Sequence, residues 1–214
     1  MILYAVADIH GKPEKLALIK KNILEHQPDM LVVAGDITNY VYPARTIEYL
    51  KGMSTPVLAV RGNSDFSIVD TLISESSNIS SLHLQKVFSE GITFTGLGGT
   101  IPFPFWSKVS LCEKQIVDRM VSRLEQYSVI VVHPPPFGML DRVFGRFHAG
   151  SRIIAAMISQ HQPALCICGH IHEDVGSGFI GETLVVNCSI GKTGGGALIK
   201  LNSEKKPSVI FLAD

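Results

Sequence analysis

Five apolar runs in this chain each end in aspartate, asparagine or histidine, four of them with glycine alongside, and that repeated junction constrains the fold most. After Ile2–Ala7 come Asp8, His10 and Gly11; after Met30–Ala34 come Gly35 and Asp36; after Val57–Val60 come Gly62, Asn63 and Asp65. After Val129–Val132 comes His133, followed by three prolines, and after Ala164–Cys168 come Gly169, His170 and His172. Several runs are continuous Val/Ile/Leu stretches with little alternation, as expected of strands buried on both faces. Between them Pro13–His26, Pro43–Lys51, Cys112–Glu125 and Ser151–His161 carry amphipathic helical patterns. Pro13 and Pro43 suit a first helical turn, where a missing N–H costs nothing. Further strands are predicted at Ile92–Leu97, Leu184–Val186, Ala197–Leu201 and Ser208–Leu212. The segment after Leu184 reads as hairpins, with Gly194-Gly195-Gly196 as a turn.

Length and composition bound the rest. A chain of 214 residues with 46% hydrophobic side chains can bury a large core, and one α/β domain over residues 1–214 is expected. Sheets packed on each other with helices outside would accommodate both halves. Nineteen basic and nineteen acidic residues leave no bulk attraction for nucleic acid or membrane. No stretch reaches the roughly 18 apolar residues that span a bilayer, and Asp8 and His10 interrupt the apolar start. Of the cysteines Cys112, Cys166, Cys168 and Cys188, three fall in strand-like runs and read as buried thiols, which fits a reducing cytoplasm.

Open α/β sheets bind ligands at the carboxyl ends of their strands, so the five junctions are the candidate site. In extended chain, residues i and i+2 point the same way, so Asp8 with His10, and His170 with His172, should each aim two side chains at one point. Glycines 11, 35, 62 and 169 permit sharp turns and close backbone approach there. A lone histidine after a strand is ordinarily structural, and a lone Gly-Asp is a turn; five such fragments at five strand ends have no comparable structural explanation. One of the seven candidate ligands, Asp36, is placed to bridge two cations about 3.5–4 Å apart. Mixed imidazole and oxygen ligation suits Mn, Fe, Zn or Ni better than Ca. Gly191-Lys192-Thr193 mimics the end of a nucleotide-binding phosphate loop, but Val186 stands where its first glycine belongs.

Asp8-x-His10-Gly11, Gly35-Asp36, Gly62-Asn63-x-Asp65, His133 and Gly169-His170-x-His172 together resemble the five blocks of the calcineurin-like metallophosphoesterases. The resemblance implies a four-layer αββα sandwich of two mixed sheets with a two-metal centre between them. It gives one metal to Asp8, His10 and His172, the other to Asn63, His133 and His170, and makes Asp36 the bridge. Two divalent ions less two carboxylates leave a site near +2, or about +1 with a bridging hydroxide, which would attract phosphate. It implies a hydrolase that cleaves small phosphate esters, diesters in preference to monoesters, with a hydroxide activated by the metal pair and no covalent intermediate.

Many relatives carry histidine after the third-block asparagine as the leaving-group acid; this chain has Ser64, a poor proton donor. His148, in a glycine-flanked loop between the fourth and fifth blocks, is the candidate substitute, against the alternative of a solvated loop histidine. Asp36, Asn63, Asp65 and His148 are thus the catalytic candidates, with Asp65 expected to orient a ligand from behind. Arg61, Ser64 and His148 are the candidate substrate contacts, Arg61 either through a bidentate grip on phosphate or, equally, as an outward-facing structural arginine. Ile101–Trp106 reads as an aromatic loop that walls a leaving group or forms an association surface, leaving homo-oligomerisation open. Competing readings are a non-catalytic scaffold of the same fold, a phosphomonoesterase or protein phosphatase, and a nuclease. Seven competent ligand positions speak against the scaffold, and neutral charge without a Lys/Arg cluster speaks against the nuclease.

Overall fold

A computed structural model describes residues 1–40, 42–99, 110–125, 127–202 and 205–214. The chain starts with β1 (Ile2–Val6), α1 (Pro13–His26), β2 (Met30–Ala34), α2 (Pro43–Lys51), β3 (Val57–Val60), α3 (Ile68–Ser74) and β4 (Ile79–Ser81). It continues with β5 (Lys86–Ser89), β6 (Ile92–Leu97), α4 (Ser110–Val121), β7 (Ser128–Val132), β8 (Arg142–Val143), β9 (Phe147–His148) and α5 (Arg152–His161). It closes with β10 (Leu165–Cys168), β11 (Gly176–Ile180), β12 (Thr183–Asn187), β13 (Ala197–Asn202) and β14 (Lys205–Phe211).

Two six-stranded mixed sheets form, in the orders β14-β13-β1-β2-β3-β4 and β11-β12-β10-β7-β6-β5. In the first, β1 to β4 run parallel and β13 and β14 add antiparallel. In the second, β6, β7, β10 and β12 run parallel, flanked by antiparallel β5 and β11.

Three cores separate four layers. Leu3, Ala5, Ala7, Val32 and Leu58 from the first sheet meet Phe94, Val129, Val131, Leu165 and Ile167 from the second. Tyr4, Val6, Leu31 and Val33, on the opposite pleat of the first sheet, pack on Leu16, Ile19, Ile23, Ile47 and Leu50 of α1 and α2. Ile130, Val132, Cys166 and Cys168 pack on Val117 and Met120 of α4 and Ile154 and Ile158 of α5. Alternate residues of one strand therefore enter different cores, which is why these strands are apolar without alternation. The result is an αββα sandwich.

Helix starts follow local chemistry. Pro13 and Pro43 open α1 and α2, and the Ser151 hydroxyl caps α5 by accepting from Ile154 N at 3.2 Å. Gly194-Gly195-Gly196 is not a hairpin turn: it lies between β12 of the second sheet and β13 of the first, and so carries the chain across the sandwich. Among the described residues no helix is long and apolar enough to cross a membrane. The expected aromatic loop Ile101–Trp106 lies outside the described residues.

Candidate metal centre

All seven candidate ligands lie at the carboxyl ends of β1, β2, β3, β7 and β10, where the two sheets meet. The extended i, i+2 geometry expected for them does not occur. Asp8, His10, Asp36 and His170 all adopt left-handed backbone, with φ of 63°, 52°, 49° and 69°. Such conformations cost a non-glycine residue of the order of 1 kcal/mol each and cluster where a site demands them. Asp8 and His10 still converge as expected, but the turns separate His170 from His172. His170 turns to His133, with ring centroids 5.0 Å apart, and His172 turns to His10, at 5.7 Å.

Asp36 stands between these two groups. Its Oδ1 lies 3.4 Å from His133 Nε2 and its Oδ2 lies 3.8 Å from His10 Nε2. Ser64 fixes the carboxylate from the other side, through its N–H to Oδ1 at 2.7 Å and its hydroxyl to Oδ2 at 2.9 Å. Gly62 passes so close that a Cβ there would sit 2.1 Å from Asp36 Oδ1, so no larger residue fits. Burial opposes charge on Asp36, but the His133 ring and the Ser64 donors outweigh it and hold the carboxyl well below its usual range.

On one side, ligand atoms of Asp8, His10 and His172 all lie within 4.8 Å of one another. Asp8 Oδ2 accepts His170 N at 3.0 Å, whereas Oδ1 is buried with no hydrogen-bond partner and faces His172 Nε2 at 3.2 Å. Burial would raise the Asp8 pKa; contact with His172, the charge on His133 and Ser189 together lower it. An orphaned carboxylate oxygen beside two imidazoles is a position that a cation satisfies.

On the other side, both ring nitrogens of His133 face oxygen. Nδ1 lies 2.8 Å from Ala34 O, and Nε2 lies 3.0 Å from Asn63 Oδ1 as well as near Asp36. A proton or an ion on Nε2 satisfies those oxygens. In the metal-free chain burial disfavours a charged ring, but Asp36, Asp8 and the Ala34 carbonyl prevail and raise the His133 pKa to about 9. His170 shows the opposite: burial, then the charge on His133, lowers it to about 4 and leaves the ring neutral. Ligand atoms of Asp8, Asp36 and His133 also converge within 4.8 Å, whereas His170 stands outside both close groups. The donor set, imidazole mixed with carboxylate and amide oxygen, fits two first-row divalent ions.

Three expected substrate contacts take other partners. The Ser64 hydroxyl donates to Asp36, so it serves that carboxylate in place of a phosphate. Arg61 Nε pairs with Asp70 Oδ2 of α3 at 2.7 Å, and its Nη1 reaches Asp65 O at 3.3 Å, which ties the guanidinium to the protein. His148 Nδ1 lies 2.6 Å from Asp141 Oδ1, on the β8–β9 hairpin. The Asp65 carboxylate accepts from Ile37 N, Thr38 N, Thr38 Oγ1 and Gly62 N at 2.8–3.0 Å. It ties the turn after Asp36 to Gly62, next to Asn63, as a residue that orients ligands would.

Two residues escaped the sequence reading. Lys15, on the buried stripe of α1 with Ile19 and Asn22, donates from Nζ to Asp8 O at 2.8 Å and Gly191 O at 3.0 Å. Burial, then Lys12, lowers its pKa to about 8. A lysine in phase with a helix's apolar face was the available signal. Gly191, set aside with the false phosphate loop, abuts the His172 ring so closely that a Cβ would fall 2.4 Å from it.

A family model described as calcineurin-like phosphoesterase matches residues 1–174. The uncharacterised protein MJ1162 of Methanocaldococcus jannaschii is 32% identical over 199 residues, covering 88% of each chain. Among solved structures, TT1561 of Thermus thermophilus aligns over 98% of both chains with a TM-score of 0.76 at 16% identity. An archaeal phosphodiesterase aligns over 99% of this chain and 100% of its own, with a TM-score of 0.53 at 14% identity. At these identities the two structures speak for the fold alone.

Proposed function

This chain belongs to the calcineurin-like phosphoesterases, and on that premise we propose that it hydrolyses small phosphodiesters using two divalent ions. In this reading Asp8, His10 and His172 hold one ion, Asn63, His133 and His170 hold the other, and Asp36 is shared. The observation that carries it is the placement of Asp36, with one oxygen towards His10 and the other towards His133. Such an ion pair, when bound, acidifies a water and stabilises charge on both oxygens of an in-line displacement.

The chain's own residues supply the geometry. Ser64 and Asp65 hold the Asp36 and Asn63 turns in register, and the Ala34 carbonyl fixes His133 Nδ1 so that Nε2 faces the pocket. With its hydroxyl committed to Asp36, Ser64 offers no strong acid beside the phosphate, which favours substrates with good leaving groups and supports diesters over monoesters. A core shared by both sheets supports one domain over 1–214, and the buried free thiols of Cys166, Cys168 and Cys188 support a reducing compartment such as the cytoplasm. Mn, Fe, Zn and Ni all suit the donors.

Loading the metal-free protein with Mn²⁺ should bring close to two ions per chain, read by elemental analysis. The loaded protein should cleave bis(p-nitrophenyl) phosphate faster than p-nitrophenyl phosphate. Single turnover in ¹⁸O-water should place one solvent oxygen in the product. Fewer than about one ion per chain, or no cleavage of either ester, would return the chain to the scaffold reading.

A further inference from the structure

The proposal above leaves the departing oxygen without a proton donor at the third block, and the β8–β9 hairpin holds a candidate. Asp141 is completely buried, and its Oδ2 accepts Gly138 N and Gly150 N, both at 3.0 Å. Its Oδ1 faces His148 Nδ1 at 2.6 Å, while the His148 side chain remains partly exposed. A carboxylate gripped by two backbone donors is a fixed object, so the imidazole bonded to it has a fixed orientation. With Nδ1–H committed to Asp141, the protonated ring presents Nε2–H on its free side.

The hairpin is joined to both ligand-bearing turns of the second sheet. Phe137, four residues beyond His133, packs its ring on His148 with centroids 5.2 Å apart. At its root, Phe137 N donates to Ser151 O at 3.0 Å and Ser151 N to Pro135 O at 2.9 Å. Along its side, Arg142 N donates to Asp174 Oδ2 at 2.8 Å and Phe144 N to Glu173 Oε2 at 2.7 Å. Glu173 and Asp174 directly follow His172. The pair thus rides on a flap anchored to the segments that leave His133 and His172.

We propose that His148, oriented by Asp141, is the acid that protonates the leaving group, an inference that rests on the hydrolytic reading. As the bond between phosphorus and the leaving oxygen breaks, Nε2–H passes its proton to that oxygen and an alcohol or phenol departs. The attacking water gives its oxygen to phosphorus and a proton to solvent, and His148 recovers a proton from solvent. Asp141 touches no reacting atom and is a positioning residue. This assigns the role that Ser64 cannot fill to a side chain 84 residues further along the chain.

The test is a series of methyl aryl phosphates, from p-nitrophenyl to phenyl, with Mn²⁺-loaded wild type, His148→Ala and Asp141→Asn. A departing p-nitrophenolate scarcely needs a proton, whereas phenolate does. His148→Ala should therefore lose at least about tenfold more kcat on the phenyl ester than on the p-nitrophenyl ester, with two ions retained. Asp141→Asn should show the same trend, more weakly. Independently of metal loading, the His148 Nδ1–H proton should resonate far downfield in wild type and lose that shift in Asp141→Asn. Equal losses across the series, no losses, or an absent downfield proton would overturn the assignment. A wild type that binds two ions yet cleaves no ester would instead overturn the hydrolytic reading on which it stands.

Discussion

Of the seven candidate ligands, the first sheet supplies the three oxygen donors, Asp8, Asp36 and Asn63, together with the imidazole of His10; the second supplies the three imidazoles of His133, His170 and His172. The two sides also differ in what a metal must do on arrival. Asp8 and Asp36 are held ionised by their surroundings and accept an ion without surrendering a proton. On the second sheet His170 is already neutral, but His133 keeps its proton to about pH 9. Each side is nonetheless locked by the other's backbone: His170 N holds Asp8 Oδ2, and Ala34 O holds His133 Nδ1. The contrast teaches that neither sheet carries half a site; the donors are divided by chemistry and secured crosswise.

The largest effect should come from Asp36, whose two oxygens face His10 and His133. Asp36→Asn should lower occupancy at both positions and cut turnover by about a thousandfold or more, measured by elemental analysis and steady-state kinetics. His172→Ala should cost only the ion on the Asp8 side. If His172→Ala empties the pocket as thoroughly as Asp36→Asn, the two-sided description breaks.

A middle effect is expected at Lys15, which ties the Asp8 turn to Gly191 behind His172. Lys15→Met keeps the length and removes the donors, so affinity for the Asp8-side ion should fall about ten- to hundredfold, as for other groups that orient ligands. Competition titration against a chelating dye would measure it; equal weakening at both positions would deny Lys15 its one-sided role. The smallest effect is the pH slope. Below about 9 the metal-free His133 ring carries a proton that an ion must displace, so affinity should rise about tenfold per pH unit from 7 and level off above 9. A flat profile over that window would mean that Nε2 of His133 is not a ligand.

Much of this was legible in the residues. The continuous apolar runs located β1, β2, β3, β7 and β10, because both faces of each strand are buried and periodicity is absent, whereas β6 alternates threonine with apolar residues and was located by that pattern. The short edges were not legible. β5 is half exposed, β11 reads Gly-Ser-Gly-Phe-Ile, and β8 and β9 have two residues each, so sheet partners define them where their own pattern does not. All seven candidate positions could be named, but not how they converge. Extension was assumed where the backbone in fact turns left-handed, and aspartate and histidine signal such a turn only weakly. Asp141 gave no sign, since an aspartate before a hairpin looks like turn chemistry until its burial is known. The partners of Arg61 and Ser64 were not legible either, for a common reason: proximity to candidate ligands in sequence does not say which group claims a donor first.

The place of β1 in the first sheet has a consequence for how the molecule comes into being. The strand that delivers Asp8 and His10 is distant in sequence from its antiparallel neighbour, which begins at Ala197, and Ala7 is bonded through its N–H to Cys188 and through its carbonyl to Ile190. Pairing Ile2 with Lys200 is a long-range loop closure, slow to form compared with local contacts. The Asp8 turn therefore takes its full set of partners only once the segment from Cys188 to Lys200 has joined β1.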